Sequence, residues 1–507
     1  MSLRVRGLVA LLLSALAGSG ALAQDDTAQR GRSGTTIVPR VGVTQTLTDN
    51  VALSSTARDA ALVTQVSPGI RIESRSGRVR GTFDYALNGI LYVGSDAKNQ
   101  VQNALSTSGV VELIENSVYV DGQASIGQQA ISAFGQQSGN SSLSNPNRTE
   151  VATLNLSPYW RGRVSNIASF ELRGGAQAAN TKDSIVGDTH TESLSLRVNG
   201  LSAGRLQWWG SANTQTSHFR AGDASYKNST LNLGLTYRPD VDYAVTVNGG
   251  PERYDYGRGA QSSSNYGVNF TWTPSPRTRA VAEWQRHQYG NAHTLSLEHR
   301  MARSVWRYSD VQSVNLSTPS GTNPVAVSLY SLYLQQCIAS QADPSICPAS
   351  VTDFLIARGL DPNAQIISGY VAASSPTIQR LQDLSFSLDG LRDSVVVSLS
   401  QSTSGLLPGA QATGGDLALT SEVKQRGLTV SVSHRLTPDS SVTGALSVMQ
   451  NRGTQPSLGN TLRNFTANWS SRLGRQLSVS LGARHTGFTG STGYTENALI
   501  ANLTQQF

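Results

Sequence analysis

Cysteine, methionine and charge are all scarce in this chain: two Cys, three Met and 14% Asp, Glu, Lys and Arg among 507 residues. Two cysteines exclude a disulfide framework, and three methionines exclude a methionine-rich core. After the first segment no stretch reaches the roughly 18 apolar residues that a membrane-crossing helix needs, so such a helix is excluded too. The formal charge of +7 is small for this length and does not gather on one face, which argues against a nucleic-acid partner. There is no short fixed repeat of the kind a β-solenoid carries, and no linker that would separate sandwich domains. What is abundant is Gly, with 48 residues, together with Ser, Thr, Asn and Gln, against 38% hydrophobic residues. That balance suits strands apolar on one face only, and in lipid the closed barrel is the form that satisfies all backbone groups without helices.

Residues 1–23 carry the parts of a secretory signal peptide: Arg4 and Arg6, an apolar run from Leu8 to Leu16, and Ala21-Leu22-Ala23 as a small-x-small cleavage site before Gln24. Residues 24–36 read as a short periplasmic segment and 37–507 as a single β-barrel domain. That leaves too little chain before the first strand for an amino-terminal plug domain.

The alternation begins at Ile37 to Leu47, with Ile37, Val41, Val43 and Leu47 on one side and Arg40, Thr44 and Thr46 on the other. The clearest hairpin follows a polar loop from Thr48 to Asp59. Leu62, Val66, Ile70 and Ile72 oppose Gln65, Arg71, Glu73 and Arg75, and after Ser76-Gly77 the return strand sets Val79, Phe83, Tyr85, Leu87, Leu91 and Val93 against Arg78, Arg80, Thr82, Asp84 and Asn88. Tight turns such as Glu115-Asn116, Gly162-Arg163 and Pro438-Asp439-Ser440 then alternate with long polar loops. These loops are Gly127 to Arg148, Asn180 to His190, Arg253 to Ser264, Val314 to Thr377, Thr403 to Val423 and Gly453 to Asn460. Short turns at one end and long loops at the other are the periplasmic and external sides of an outer-membrane barrel of about 22 (20–22) antiparallel strands. Tyr159-Trp160, Tyr237, Tyr243, Trp272, Trp306 and Trp469 fall beside tight turns, where an aromatic girdle belongs.

No constellation points to an enzyme, and no catalytic, cofactor or metal site is expected. The seven histidines are scattered; His293 and His299 share a strand face with Leu295 and Leu297, but about 20 Å of strand rise over six residues separates them. Gly174-Gly175 and Gly249-Gly250 precede no helix, so neither is a phosphate loop. Cys337 and Cys347 lie in the longest loop (314–377), and in an oxidising envelope they are expected to form one local disulfide. The helix-like spacing of Leu332, Leu334 and Ile338, then Val351, Phe354 and Leu355, makes that loop the candidate constriction. On the first hairpin Arg71, Arg75, Arg78 and Arg80, with Glu73 and Asp84, face the lumen as either a basic track for an acidic polymer or a ladder of ion pairs.

The carboxy-terminus alternates as well, with Leu499, Ala501, Leu503 and Gln505 on one face before a terminal Phe507. This ending resembles the signal by which outer-membrane barrels are handed to their assembly machinery, and it marks the strand that must pair with Ile37 to Leu47 to close the cylinder. At Val41-Gly-Val-Thr-Gln-Thr-Leu-Thr-Asp-Asn-Val51 and Val63-Thr-Gln-Val-Ser-Pro-Gly-Ile-Arg-Ile72 the chain resembles the outer-membrane barrel family associated with the PEP-CTERM/exosortase system. That resemblance implies a Gram-negative outer membrane, a setting beside exopolysaccharide genes, export components as partners and no catalytic residues. The function expected is a pore or accessory for export of exopolysaccharide or a similar polymer. The alternatives are a general diffusion porin and a structural or adhesive surface barrel.

Overall fold

A computed structural model describes residues 34–182, 188–202, 204–220, 224–256, 259–315, 375–410, 412, 414–474 and 476–507. Its first strands are β1 (Thr35–Thr48), β2 (Ala61–Arg75), β3 (Val79–Val93), β4 (Gln100–Ile114), β5 (Val118–Ala130), β6 (Arg148–Val164) and β7 (Ala168–Thr181). Then come β8 (Thr189–Gly200), β9 (Leu206–Phe219), β10 (Ala224–Tyr237), β11 (Tyr243–Asp255), β12 (Gln261–Ser275), β13 (Thr278–His287), β14 (Gly290–Arg300) and β15 (Ser304–Asn315). The last are β16 (Thr377–Asp389), β17 (Asp393–Leu406), β18 (Glu422–Thr437), β19 (Ser440–Arg452), β20 (Gly459–Arg472), β21 (Leu477–Thr489) and β22 (Tyr494–Gln506). All 22 belong to one antiparallel sheet, and there is no α-helix among the described residues.

The sheet closes because β22 pairs with β1, in a register that sets Leu503 against Val43, Ala501 against Gln45 and Leu499 against Leu47. The Phe507 N–H donates to the Pro39 carbonyl at 2.9 Å, carrying the seam to the last residue. A closed ladder leaves no strand edge exposed, which is the condition for crossing lipid with strands.

Large apolar residues are exposed on one face of nearly every strand, as with Val41, Leu62, Phe83, Leu154, Trp208, Leu233, Phe270, Leu446 and Leu499. In a closed cylinder that face is the outer one, and the alternate residues line the lumen. Trp160, Tyr237, Tyr243, Trp272 and Trp306 stand exposed on the outer face at the short-turn end, as a girdle requires. Tyr159 turns inward instead and stacks on Tyr119 with ring centroids 5.0 Å apart.

The short turns repeat regularly at the end that holds both described termini. The opposite end is less uniform than the alternation of tight turns and long loops predicts: residues 288–289 alone join β13 to β14, with Gly290 at φ 133°, a left-handed-side conformation suited to glycine. Strand β11 also runs to Asp255 and β12 starts at Gln261, so much of the expected loop from Arg253 to Ser264 is strand. Ladder hydrogen bonds continue wherever the partner strand does, whatever the polarity of the side chains. Polar composition alone therefore misplaces these boundaries.

Candidate functional site: the long-loop mouth of the lumen

The connection from β5 to β6, residues 131–147, does not stand away from the barrel but crosses its mouth as a strap. Its polar groups bond to residues far away in sequence. The Tyr92 hydroxyl donates to the Ser142 carbonyl at 2.6 Å, and the Tyr494 hydroxyl donates to the Gln137 carbonyl at 2.7 Å. Gln102 reaches the Ser141 carbonyl, Gln136 reaches the Leu53 carbonyl, and the side-chain amides of Asn451 and Asn460 both donate to the Ala133 carbonyl at 2.8 Å. These partners stand on β3, β4, β19, β20 and β22 and in the connection from β1 to β2. They form a continuous arc around the closed ring.

The strap is also anchored from across the mouth. Asp416, in a 3-10 turn over Asp416–Ala418 and 3% exposed, accepts from the Ser132 hydroxyl at 2.5 Å and from the Ala133 N–H at 2.7 Å. Burial raises its carboxyl above the ordinary carboxylate range, and the two hydrogen bonds only partly oppose that. Asn147 ties the strap to itself, accepting from the Ser132 N–H and donating to the Ser132 and Gln136 carbonyls. A side chain at Gly135 would collide with it, since an added Cβ would lie 2.4 Å from Asn147 Cγ.

Beneath the strap the lumen is apolar. Val51, Leu53, Val63, Ile90, Tyr92, Leu143, Met449, Leu462, Phe488 and Tyr494 form one buried cluster. Val63, Ile90, Met449, Leu462 and Phe488 occupy lumen-facing positions where the barrel pattern predicts polar residues. They are the floor on which Leu143 of the strap packs. The buried pair Arg484 and Glu496, 2.8 Å apart, lies in the same wall, and Thr48 gives Glu496 a further hydrogen bond.

The opposite side of the mouth is aromatic. Phe219, Tyr226, Tyr254, Tyr256 and Leu407 form a second buried cluster with Tyr289 packed against it. Tyr254 stacks on Tyr256 at 4.9 Å and His287 on Tyr289 at 4.8 Å. Buried Glu252 accepts from His287 Nδ1 and from the Gln288 N–H, both at 2.7 Å. Burial pushes the Tyr256 and Tyr289 phenols up. Among the described residues seven buried polar side-chain atoms have no hydrogen-bond partner, and four of them stand on this wall: Asn232 Oδ1, the Tyr254 and Tyr256 hydroxyls and Asn265 Nδ2.

The short-turn half of the lumen carries the arginines singled out in the sequence, and here Arg71 and Arg75 are paired with a carboxylate. Arg40 clamps Asp84 through both carboxylate oxygens, at 2.8 and 2.5 Å. Arg75 Nε donates to Glu73 at 2.6 Å, and Arg71 lies 3.8 Å from the same carboxylate. Arg75 and Arg80 face each other across the β2–β3 ladder, while Arg78 sits in the turn, where its carbonyl accepts from the Glu112 N–H. On β5 to β7 Arg161, Tyr119, Tyr159 and Arg173 stack in sequence, with Arg173 also bound to Asp121 at 2.6 Å and Glu171 at 3.0 Å. The wall thus pairs Arg40, Arg71, Arg75 and Arg173 with carboxylates.

Cys337, Cys347 and the rest of the expected constriction lie outside the described residues. The described part of the mouth is instead occupied by residues 131–147, which polarity alone marks only as a loop. The signal that could have singled it out is the presence of Phe134 and Leu143 among Ser, Asn, Gln and Gly. His293 and His299 do not come together on a ligand: His293 bonds Asp310 and His299 bonds Thr278, on the outer face. Leu499 and Leu503 face outward at the seam, and Phe507 ends it, 65% exposed.

No protein-family model and no curated protein matches the chain. Among solved structures, the FrpB iron transporter from Neisseria meningitidis (F5-1 variant) is similar over 93% of this chain and 82% of that one, with 11% identity and a TM-score of 0.52. Its apoprotein form gives a TM-score of 0.50 at 10% identity, over 93% of this chain and 81% of that one. The siderophore receptor PirA from Pseudomonas aeruginosa is similar over 94% of this chain and 81% of that one, with 9% identity and a TM-score of 0.46. At such identities the likeness is one of fold, and the fold is the closed antiparallel barrel of outer-membrane proteins.

Proposed function

We propose that this chain is an outer-membrane barrel of a Gram-negative bacterium that passes, or helps to pass, exopolysaccharide or a similar hydroxyl-rich polymer. In this reading it works within the PEP-CTERM/exosortase setting that its first two strands resemble. The observation that carries the proposal is the lumen's chemistry. Its short-turn half is lined by hydroxyl and amide groups and by arginines of which Arg40, Arg71, Arg75 and Arg173 are matched to carboxylates, with no described cluster of three metal-ligating side chains. Such a wall offers many weak hydrogen bonds and no deep charge trap, which suits passage of a neutral or weakly charged chain better than tight capture of one solute. The strap would hold the mouth shut at rest.

The test is genetic. Deleting the gene should lower extracellular polysaccharide while leaving permeability to small solutes unchanged. Normal polysaccharide with reduced small-solute uptake would instead assign the chain as a diffusion pore. Normal values of both would leave a structural or adhesive barrel, and either result overturns the export reading.

A further inference from the structure

The outer face of β18, β19 and β20 changes character along its length. Towards the short turns it is apolar, with Val432, Val442, Leu446 and Phe465 exposed. Towards the long loops it carries Lys424 and Arg426 on β18, Arg452 on β19 and Arg463 on β20. The register sets Lys424 directly opposite Arg452, Arg426 opposite Gln450, and Arg463 opposite Val448 at the edge of the apolar zone. Buried Gln425, Asn451, Leu462 and Asn464 alternate with them, so these basic side chains are directed outward.

Like charges opposite one another in a ladder destabilise it unless something of opposite sign lies between them. No described protein group does so. Strands β19, β20 and β21 contain no Asp or Glu, and the nearest carboxylate on that face, Glu422, is the first residue of β18. Among the described residues none of Lys424, Arg452 and Arg463 forms an ion pair, and Arg426 donates only to the neutral Gln401 side chain, at 2.9 Å. Elsewhere the outer face towards the long-loop ends of the strands is handled differently. On β14 to β16 Asp310 holds Arg380 and His293, while on β1 and β2 the outer residues are Leu47 and Leu62.

We infer that Lys424, Arg426, Arg452 and Arg463 form a seat for the phosphate groups of membrane lipid. The seat lies where the apolar band ends, the depth at which headgroups begin. Guanidinium groups bind phosphate oxygens in pairs, and a bisphosphorylated lipid supplies the negative charge that separates Lys424 from Arg452. The inference rests on the outer-membrane reading, in which the long-loop end meets the outer leaflet.

The full chain, folded in detergent micelles, is to be titrated with bisphosphorylated lipid A while its thermal unfolding is followed by gel mobility. The unfolding temperature should rise, and the variant K424Q/R426Q/R452Q/R463Q should need at least tenfold more lipid for the same rise. Arg435→Gln, in the last turn-ward residues of β18 and away from the four basic residues, serves as the charge control and should behave as the native chain. Equal titrations for the native and quadruple variants, or an equal rise with dephosphorylated lipid A, would overturn the seat. An equal rise with inorganic phosphate would overturn the assignment to lipid. Cell fractionation separates the two readings: absence from the outer membrane with intact lipid A binding sinks the localisation and not the seat.

Discussion

The two sides of the barrel mouth solve the same problem with different chemistry. On the strap side, backbone carbonyls of residues 131–147 are met by Tyr, Asn and Gln side chains from the surrounding strands, over an apolar floor. On the aromatic side, rings fill the space, yet two phenols and two amide atoms are buried without partners among the described residues. Buried polar groups are normally bonded, and leaving one unmet costs about 1–3 kcal/mol. Hydrogen bonding therefore specifies one position for the strap, whereas the aromatic wall is held by packing and carries polar atoms that do not stabilise it.

Four changes would break or sharpen that contrast. The largest effect belongs to Glu496→Ala, which leaves Arg484 buried and uncompensated in the wall under the strap; the cost should be about 3–5 kcal/mol, read as a lower unfolding temperature. An unchanged temperature would remove this pair from the account. Asp416→Ala comes next, since it deprives the Ser132 hydroxyl and the Ala133 N–H of a buried acceptor. Docking of the strap should weaken by about 1.5–3 kcal/mol, seen as faster proteolysis within residues 131–147 and higher conductance in planar bilayers, with strand content intact.

The third change is in pH. Because burial raises the Asp416 carboxyl in the docked state, that state holds its proton more tightly than the undocked one. This contribution to docking is therefore complete below the ordinary carboxylate value of about 4 and is lost as pH rises through the raised value. Conductance should be lower at acid pH than at neutral pH, and Asp416→Asn should flatten the difference. A difference that persists in that variant assigns the effect to other groups. The smallest effect is expected from Tyr254→Phe with Tyr256→Phe. Removing two unpartnered hydroxyls should be neutral or raise stability by up to about 1 kcal/mol. A loss of stability would show that these phenols have partners after all, and the contrast between the two sides would fail.

Much of the barrel was legible in the chain because its rule is local. Ile37 to Leu47 and Val79 to Val93 alternate with the strand's own period, and their outward residues are apolar whatever strand lies beside them. The closing strand was legible for the same reason, and the observed seam sets Leu503 against Val43. The arginines of the first hairpin were legible as lumen-facing but not as paired, since Arg40, which clamps Asp84, comes from another strand. Lumen apolar residues such as Met449 and Leu462 run against the pattern, and nothing nearby in sequence announces that a loop will cover them.

By itself the sequence determined that the chain makes amphipathic strands joined by turns, that these strands close on one another, and which face meets lipid. Those properties follow from a two-residue period and from the need to satisfy every backbone group. Only the tertiary structure decided how the mouth is filled. Ser132 and Ala133 meet Asp416, and Gln137 meets Tyr494, across sequence separations of 284, 283 and 357 residues. Such contacts exist only once the ring has closed and brought the ends of distant strands to one rim.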